Sequence, residues 1–239
     1  MKINAEGMHF SALGEAVRES ADKTIQIQNC IGQRYLAAGL SGKNIAVYGT
    51  PGNALGAYLN GARLDVFGNV QEATGDTMNA GVIAVHGSAG DATGYAMRGG
   101  KIFIEGDVGY RCGIHMKAYK DNKPAIVVGG RAGSFLGEYQ AGGTIVVLGE
   151  NRGEKPIVGY FCGTGMHGGE MFLRCTALPV RLPAQVKAVK QRGLRGEARE
   201  LAAQWCEVFG RDAGEYLDAD YFRLTPDSEN PYKQMYTAN

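Results

Sequence analysis

Between about residue 24 and residue 175 the chain repeats on a nineteen-residue beat, and a period near twenty leaves few folds open to it. Gly49, Gly68, Gly87 and Gly106 stand nineteen apart, as do Gly130 and Gly149. Each follows an aliphatic run: IAVY, LDVF, IAVH, IFIE, IVVG and IVVL. Further glycines come three and seven residues later, as Gly52 and Gly56, Gly90 and Gly94, Gly109 and Gly113, and Gly133 and Gly137. Gly75, Gly159 and Gly163 hold matching slots in the remaining units. A thin repeating core needs sharp corners, where positive φ or close backbone contact favours glycine. These glycines are expected as structural corners.

Aligning the units stacks equivalent side chains into ladders. One ladder is Val47, Val66, Val85, Ile104, Val128 and Val147; a second is Ile45, Leu64, Ile83, Ile102, Ile126 and Ile145. Residues two apart on a strand share a face, so both ladders point into one core. Ala46, Asp65, Ala84 and Phe103, with Tyr48, Phe67, His86 and Glu105, suit an outward face. A third ladder runs Leu59, Met78, Met97, Met116 and Met166, broken by Gln140; a fourth runs Leu55, Thr74, Thr93, Cys112, Leu136 and Cys162. Such stacking predicts an all-β solenoid, a single-stranded parallel β-helix of about seven coils. A propeller blade would need four strands per unit.

The ends lie outside the beat. Phe10, Leu13, Ala16 and Val17 share one helical face, predicting a capping helix within residues 1–23. Residues 24–175 form the repeat domain. Residues 176–239 are expected as a helical extension and tail: a basic stretch, Arg181 to Arg199, then an apolar stripe through Leu194, Ala198, Leu201, Ala202, Trp205, Val208 and Phe209. Two insertions, Tyr119–Pro124 and Glu150–Pro156, interrupt the units as loops.

Function classes narrow by composition. A formal net charge of +1 does not point to nucleic acid or a membrane surface. No apolar run reaches the ~20 residues of a transmembrane helix, and five scattered cysteines favour reduced thiols in the cytoplasm. Neither a G-x-x-x-x-G-K-[ST] loop nor a C-x-x-C pair occurs. Two thiol–imidazole spacings, Cys112 with His115 and Cys162 with His167, are the material for an independent enzyme or a metal site. Against that, both cysteines sit in a ladder otherwise held by Leu and Thr. The reading from residues alone is therefore no catalytic, cofactor or metal residue on this chain.

Asn29-x-x-x-x-Arg34, Gly39-Leu40-Ser41-Gly42, Gly87-Ser88-Ala89-Gly90-x-x-x-Gly94 and Met97-x-Gly99-Gly100 resemble the C-terminal GXGXG domain of the glutamate synthase large subunit. Phe222-x-x-x-Pro226-x-Ser228-x-x-Pro231-Tyr232 resembles stand-alone versions of that domain. The resemblance implies a right-handed parallel β-helix without catalytic residues, acting as a scaffold subunit in glutamate biosynthesis. It implies amidotransferase (glutaminase) and flavin-dependent synthase partners held beside the ammonia route, with FMN and iron–sulfur clusters on those partners. Self-association stays open. The same domain in formylmethanofuran dehydrogenase and in N-methylglutamate synthase-type complexes supplies the alternatives.

Overall fold

The computed structural model describes residues 1–178 and 181–227. Ser228, Pro231, Tyr232 and Tyr236 of the terminal motif and tail lie outside the described residues.

The aliphatic runs become the strands β2 (Thr24–Ile31), β3 (Asn44–Thr50), β4 (Asn60–Phe67), β5 (Ala80–Val85), β6 (Lys101–Ile104), β7 (Ala125–Val128), β8 (Ala141–Val147) and β9 (Gly168–Leu173). Each pairs in parallel with the next, and the rungs are those of the sequence ladders. Ile27, Val47, Val66, Val85, Ile104, Val128, Val147 and Leu173 are successive Cα partners. So are Ile25, Ile45, Leu64, Ile83, Ile102, Ile126, Ile145 and Met171. All sixteen belong to one buried core. The first unit is one residue out of phase, and a register shift between Ile27 and Cys30 absorbs the extra residue. Asn29 sits there at φ 55°, the left-handed conformation a bulge tolerates.

The glycine slots have distinct causes. A side chain at the first would strike the backbone of the previous unit: a Cβ on Gly87 would lie 2.7 Å from the Gly68 carbonyl oxygen. The third slot has positive φ and faces the core, where a Cβ on Gly56 would lie 2.7 Å from Ile83 Cδ1. Positive φ alone does not demand glycine. Two residues before and after Gly56, Ala54 and Tyr58 are left-handed at φ 61° and 58°. The pattern repeats at Ala73 and Thr77, Ala92 and Ala96, Arg111 and His115, and Phe135 and Tyr139. Each L-residue there costs roughly 1–2 kcal/mol of backbone strain, offset by bonds to both neighbouring units. Ala54 N–H donates to the Glu72 carbonyl of the following unit, and Gly56 N–H to the Leu36 carbonyl of the preceding one.

The ends change the architecture. β1 (Lys2–Asn4) adds in parallel to β2, and α1 (Phe10–Glu19) buries Leu13 and Val17. Gln33 ties this cap to the first unit, donating from Nε2 to the carbonyls of Ala5 and Met8. After β9 come β10 (Val186–Arg192), α2 (Gly196–Phe209), α3 (Ala213–Leu217) and β11 (Asp220–Pro226). β11 pairs antiparallel with both β9 and β10. The result is an 11-stranded sheet in the order β1-β2-β3-β4-β5-β6-β7-β8-β9-β11-β10.

This corrects the expected all-β, right-handed single-stranded parallel β-helix of about seven coils with a helical tail. The described chain is a mixed α/β arrangement, a mostly parallel sheet with an antiparallel end and three described helices. The reason lies beyond Cys175, where the beat stops and no ladder announces a strand. Val186-Lys187-Ala188-Val189-Lys190-Gln191-Arg192, read as a basic stretch, is a half-exposed edge strand. Charge on such an edge blocks further pairing.

The outward face also needed correction. Ala84 and Phe103 are buried with Val127, Val146 and Phe172 beneath α2, which contributes Leu201, Ala202, Trp205 and Cys206 to a second hydrophobic cluster. Trp205 Nε1–H donates to the Ile104 carbonyl at 2.8 Å. Its indole fills the space a side chain at Gly129 would need, so the aliphatic run there ends IVVG.

Two predictions follow from this packing. Gly56→Ala combines a φ of +63° with a core clash, whereas Gly7→Ala, at φ +69°, meets open space. Urea unfolding should show Gly56→Ala losing about 2–5 kcal/mol and Gly7→Ala only about 1–2 kcal/mol. Trp205→Ala should lose about 3–5 kcal/mol by the same measurement, with Trp205→Phe intermediate.

Candidate functional site

Opposite the paired strands, the turn segments of successive units form a face with its own regularities. Val70, Ala89, Val108, Ala132 and Val158 are joined there by single parallel bridges. Short polar side chains cap the backbone of the next unit. Asn69 Oδ1 accepts from Ser88 N–H, Ser88 Oγ from Asp107 N–H, and Asp107 Oδ1 from Arg131 N–H. One column over, Asp91 Oδ1 accepts from Tyr110 N–H and Ser134 Oγ from Tyr160 N–H. These bonds hold the face without using the outer side chains.

Several left-handed residues, Tyr58, His115 and Phe161 among them, turn their side chains outward, and exposed rings also stand beside the left-handed positions. Tyr58, Tyr95, Tyr110, Tyr160 and Phe161 are all exposed. His115 stacks on Tyr139 at 5.2 Å and meets Tyr95 edge-on at 5.8 Å. Phe135 stacks on Phe161 at 4.9 Å, and the Arg111 guanidinium lies 4.9 Å above the Phe135 ring. A cleft of 460 Å³ opens among Asp91, Asp107, Tyr110, Arg131, Ser134 and Tyr160. On the strand side a second stack runs Tyr48, Phe67 and His86, at 4.7 and 4.5 Å, and Phe209 meets His86 edge-on at 5.0 Å. Aromatic and arginine side chains in such density are the composition of an interaction surface.

Both thiols of the thiol–imidazole spacings lie in the interior. Cys112 and Cys162 are fully buried in the main core, beside Leu55 and Leu136 of the same ladder. Burial pushes each thiol up to about 12 from the ordinary 9.0. A catalytic thiolate needs the opposite shift. His115 lies outside, in its aromatic stack, while Cys112 of the same unit faces in. His167 is partly buried, and burial and the Lys117 charge lower its pKa. Among the described residues no group of three or more His, Cys, Asp or Glu could hold a metal ion.

The insertions meet the C-terminal elements. Glu150 accepts from Arg211 Nε and from the Tyr216 hydroxyl, each at 2.9 Å. Arg211 also donates to Glu105 at 2.9 Å, linking the second insertion, a β6 neighbour and the end of α2. In the first insertion Lys123 lies 3.9 Å from Glu197 at the start of α2. Both loops therefore help to seat α2. A polar cleft of 480 Å³ beside the second insertion sets Arg152, Arg174 and Arg192 against Glu215, Asp218 and Asp220.

Comparison with known proteins fits this geometry. The family model described as "GXGXG motif" matches residues 16–221. The chain belongs to the GXGXG motif family. The uncharacterized protein MJ1350 of Methanocaldococcus jannaschii is 40% identical over 252 residues, covering 98% of this chain and 95% of that relative. Among solved structures, the chain resembles one chain of the formyltransferase/hydrolase complex from Methylorubrum extorquens, crystallised with methylofuran. That match has a TM-score of 0.66 at 23% identity, over 93% of this chain and 86% of the other. At that identity the likeness concerns the fold. Among the described residues no helix is long and apolar enough to cross a membrane.

Reading glycines and aliphatics did not single out Tyr110, Phe135, Tyr160 and Phe161. Their signal was aromatic residues at the variable positions between the second and third glycines.

The buried thiols generate a pH prediction. A folded pKa raised above the unfolded 9.0 favours the native state while the thiol is protonated, and the gain is lost as pH rises from about 9 toward 12. Native protein at pH 8 should leave Cys112 and Cys162 unreactive toward a thiol reagent, and urea should expose both. Stability should fall between pH 9 and 11 less steeply in the Cys112→Thr, Cys162→Thr variant.

Proposed function

We propose that this chain is a non-catalytic subunit of a multi-subunit oxidoreductase-type complex, holding catalytic subunits in register. One observation carries the reading: the interior of the repeat is consumed by packing, while its turn face displays exposed aromatic rings. Membership of the GXGXG motif family supports it. So does the fold likeness to a chain whose own structure is that of a multi-component complex.

Between the complexes the resemblance offered, that neighbour favours one of the formylmethanofuran dehydrogenase type. A second reading, a glutamate-synthase-like complex, rests on the motif residues Asn29, Arg34 and Gly39 to Gly42. There the partners are glutaminase and flavin-dependent subunits, and FMN and iron–sulfur clusters sit on those partners.

A tagged full chain purified gently from its native host, with native mass spectrometry of the eluate, tests the proposal. Co-elution with catalytic subunits is the expected result, and a flavin spectrum in the eluate would favour the second reading over the first. A chain that elutes alone would sink both. In the assembled complex, Cys112→Thr with Cys162→Thr, residues already tolerated at Thr74 and Thr93, should leave turnover unchanged. Loss of turnover without loss of assembly would restore the thiol-enzyme alternative.

A further inference from the structure

Rings in successive units of this fold stack on one another. Tyr48, Phe67 and His86 do so at 4.7 and 4.5 Å, and Phe135 and Phe161 at 4.9 Å. One column of the turn face, Asn53, Glu72, Asp91, Tyr110, Ser134 and Tyr160, carries two rings that are not in successive units. Tyr110 and Tyr160 stand two units apart with Ser134 between them, since Arg111 N–H bonds the Ser134 carbonyl and Phe135 N–H the Tyr160 carbonyl. Two unit spacings are about 9–10 Å, the separation of two rings that sandwich a third. Ser134 has no ring, and its hydroxyl is turned back to cap Tyr160 N–H. Both tyrosines are exposed, at 54% and 71%, and with Ser134 they line the 460 Å³ cleft.

The charges around the cleft narrow the occupant. Asp91 and Asp107 line it, each with one carboxylate oxygen accepting a backbone N–H, so neither negative charge is neutralised by that bond. Among the described residues Arg131 is the one lining cation, and its Nε–H donates to the Pro156 carbonyl. The cleft is net acidic.

We infer that this slot receives an aromatic side chain flanked by basic residues, presented by a partner subunit. The inference deepens the subunit reading above and supplies its anchor point. The missing ring sets the shape of the guest, and the two aspartates set the charge beside it.

The probe is a Lys-Trp-Lys peptide carrying 5-fluorotryptophan, titrated into the full chain and followed by fluorine NMR, with Glu-Trp-Glu as control. Saturable binding in the millimolar range is expected for the basic peptide. Binding should weaken at least about tenfold in Tyr110→Ala and in Tyr160→Ala, since each removes one stacking face. Ser134→Trp, which fills the slot from within, should abolish it. The preference over Glu-Trp-Glu should vanish in about 1 M salt. Should Ser134→Trp not fold, the two exposed tyrosine variants, checked by unchanged thermal midpoints, still decide the matter. No saturation, equal affinity in the tyrosine variants, or no preference for the basic peptide would each overturn the inference. The titration needs no partner subunit. Peptide binding by a chain that purifies alone therefore keeps the slot and removes the subunit reading, and the reverse outcome does the opposite.

Discussion

The structure depends on the backbone register between successive units. From Gly49 to Gly130, parallel neighbours can approach closely only if nothing projects from the first glycine of the unit, because the carbonyl of the preceding unit occupies that space. Given that approach, Ile and Val rungs meet directly, and each buried rung is worth about 1.5–3 kcal/mol. On the opposite side the same register lets left-handed turns exchange hydrogen bonds with both neighbours. The strain of many L-residues at positive φ is thereby offset, and residues such as Tyr58, His115 and Phe161 are held facing outward.

A second constraint acts from outside the repeat. α2 closes the outer face of the later strands, with Trp205 inserted where Gly129 leaves room and bonded to the Ile104 carbonyl. Glu105, Glu150, Arg211 and Tyr216 fasten its end through one polar cluster. Among the described residues no helix covers the outer face of the early strands β2, β3 and β4 in this way, and the stack from Tyr48 to His86 reaches Phe209 at the boundary. Among the described residues one face of the sheet is thus partly an intramolecular interface and partly exposed.

The candidate site was less legible than the core, for a physical reason. A core rung needs an aliphatic residue in every unit and so declares itself by repetition. The rings of the turn face occur in only some units, because an outward position places no common demand on its side chain. Cys112 and Cys162 show the reverse case: their spacing from histidines suggested chemistry, but their place in a ladder already assigned them to packing.

From the chain alone came the repeat, its strands, the pairing of the Ile and Val ladders, the corner glycines and the packing role of the cysteines. Those features are local and recur, so each unit repeats the statement of the last. Tertiary structure decided the rest. The antiparallel return of β10 and β11, the burial of Ala84 and Phe103 beneath α2, and the cleft between Tyr110 and Tyr160 each join residues distant in sequence. Such contacts occur once, without a period, so they became visible only when the chain was folded.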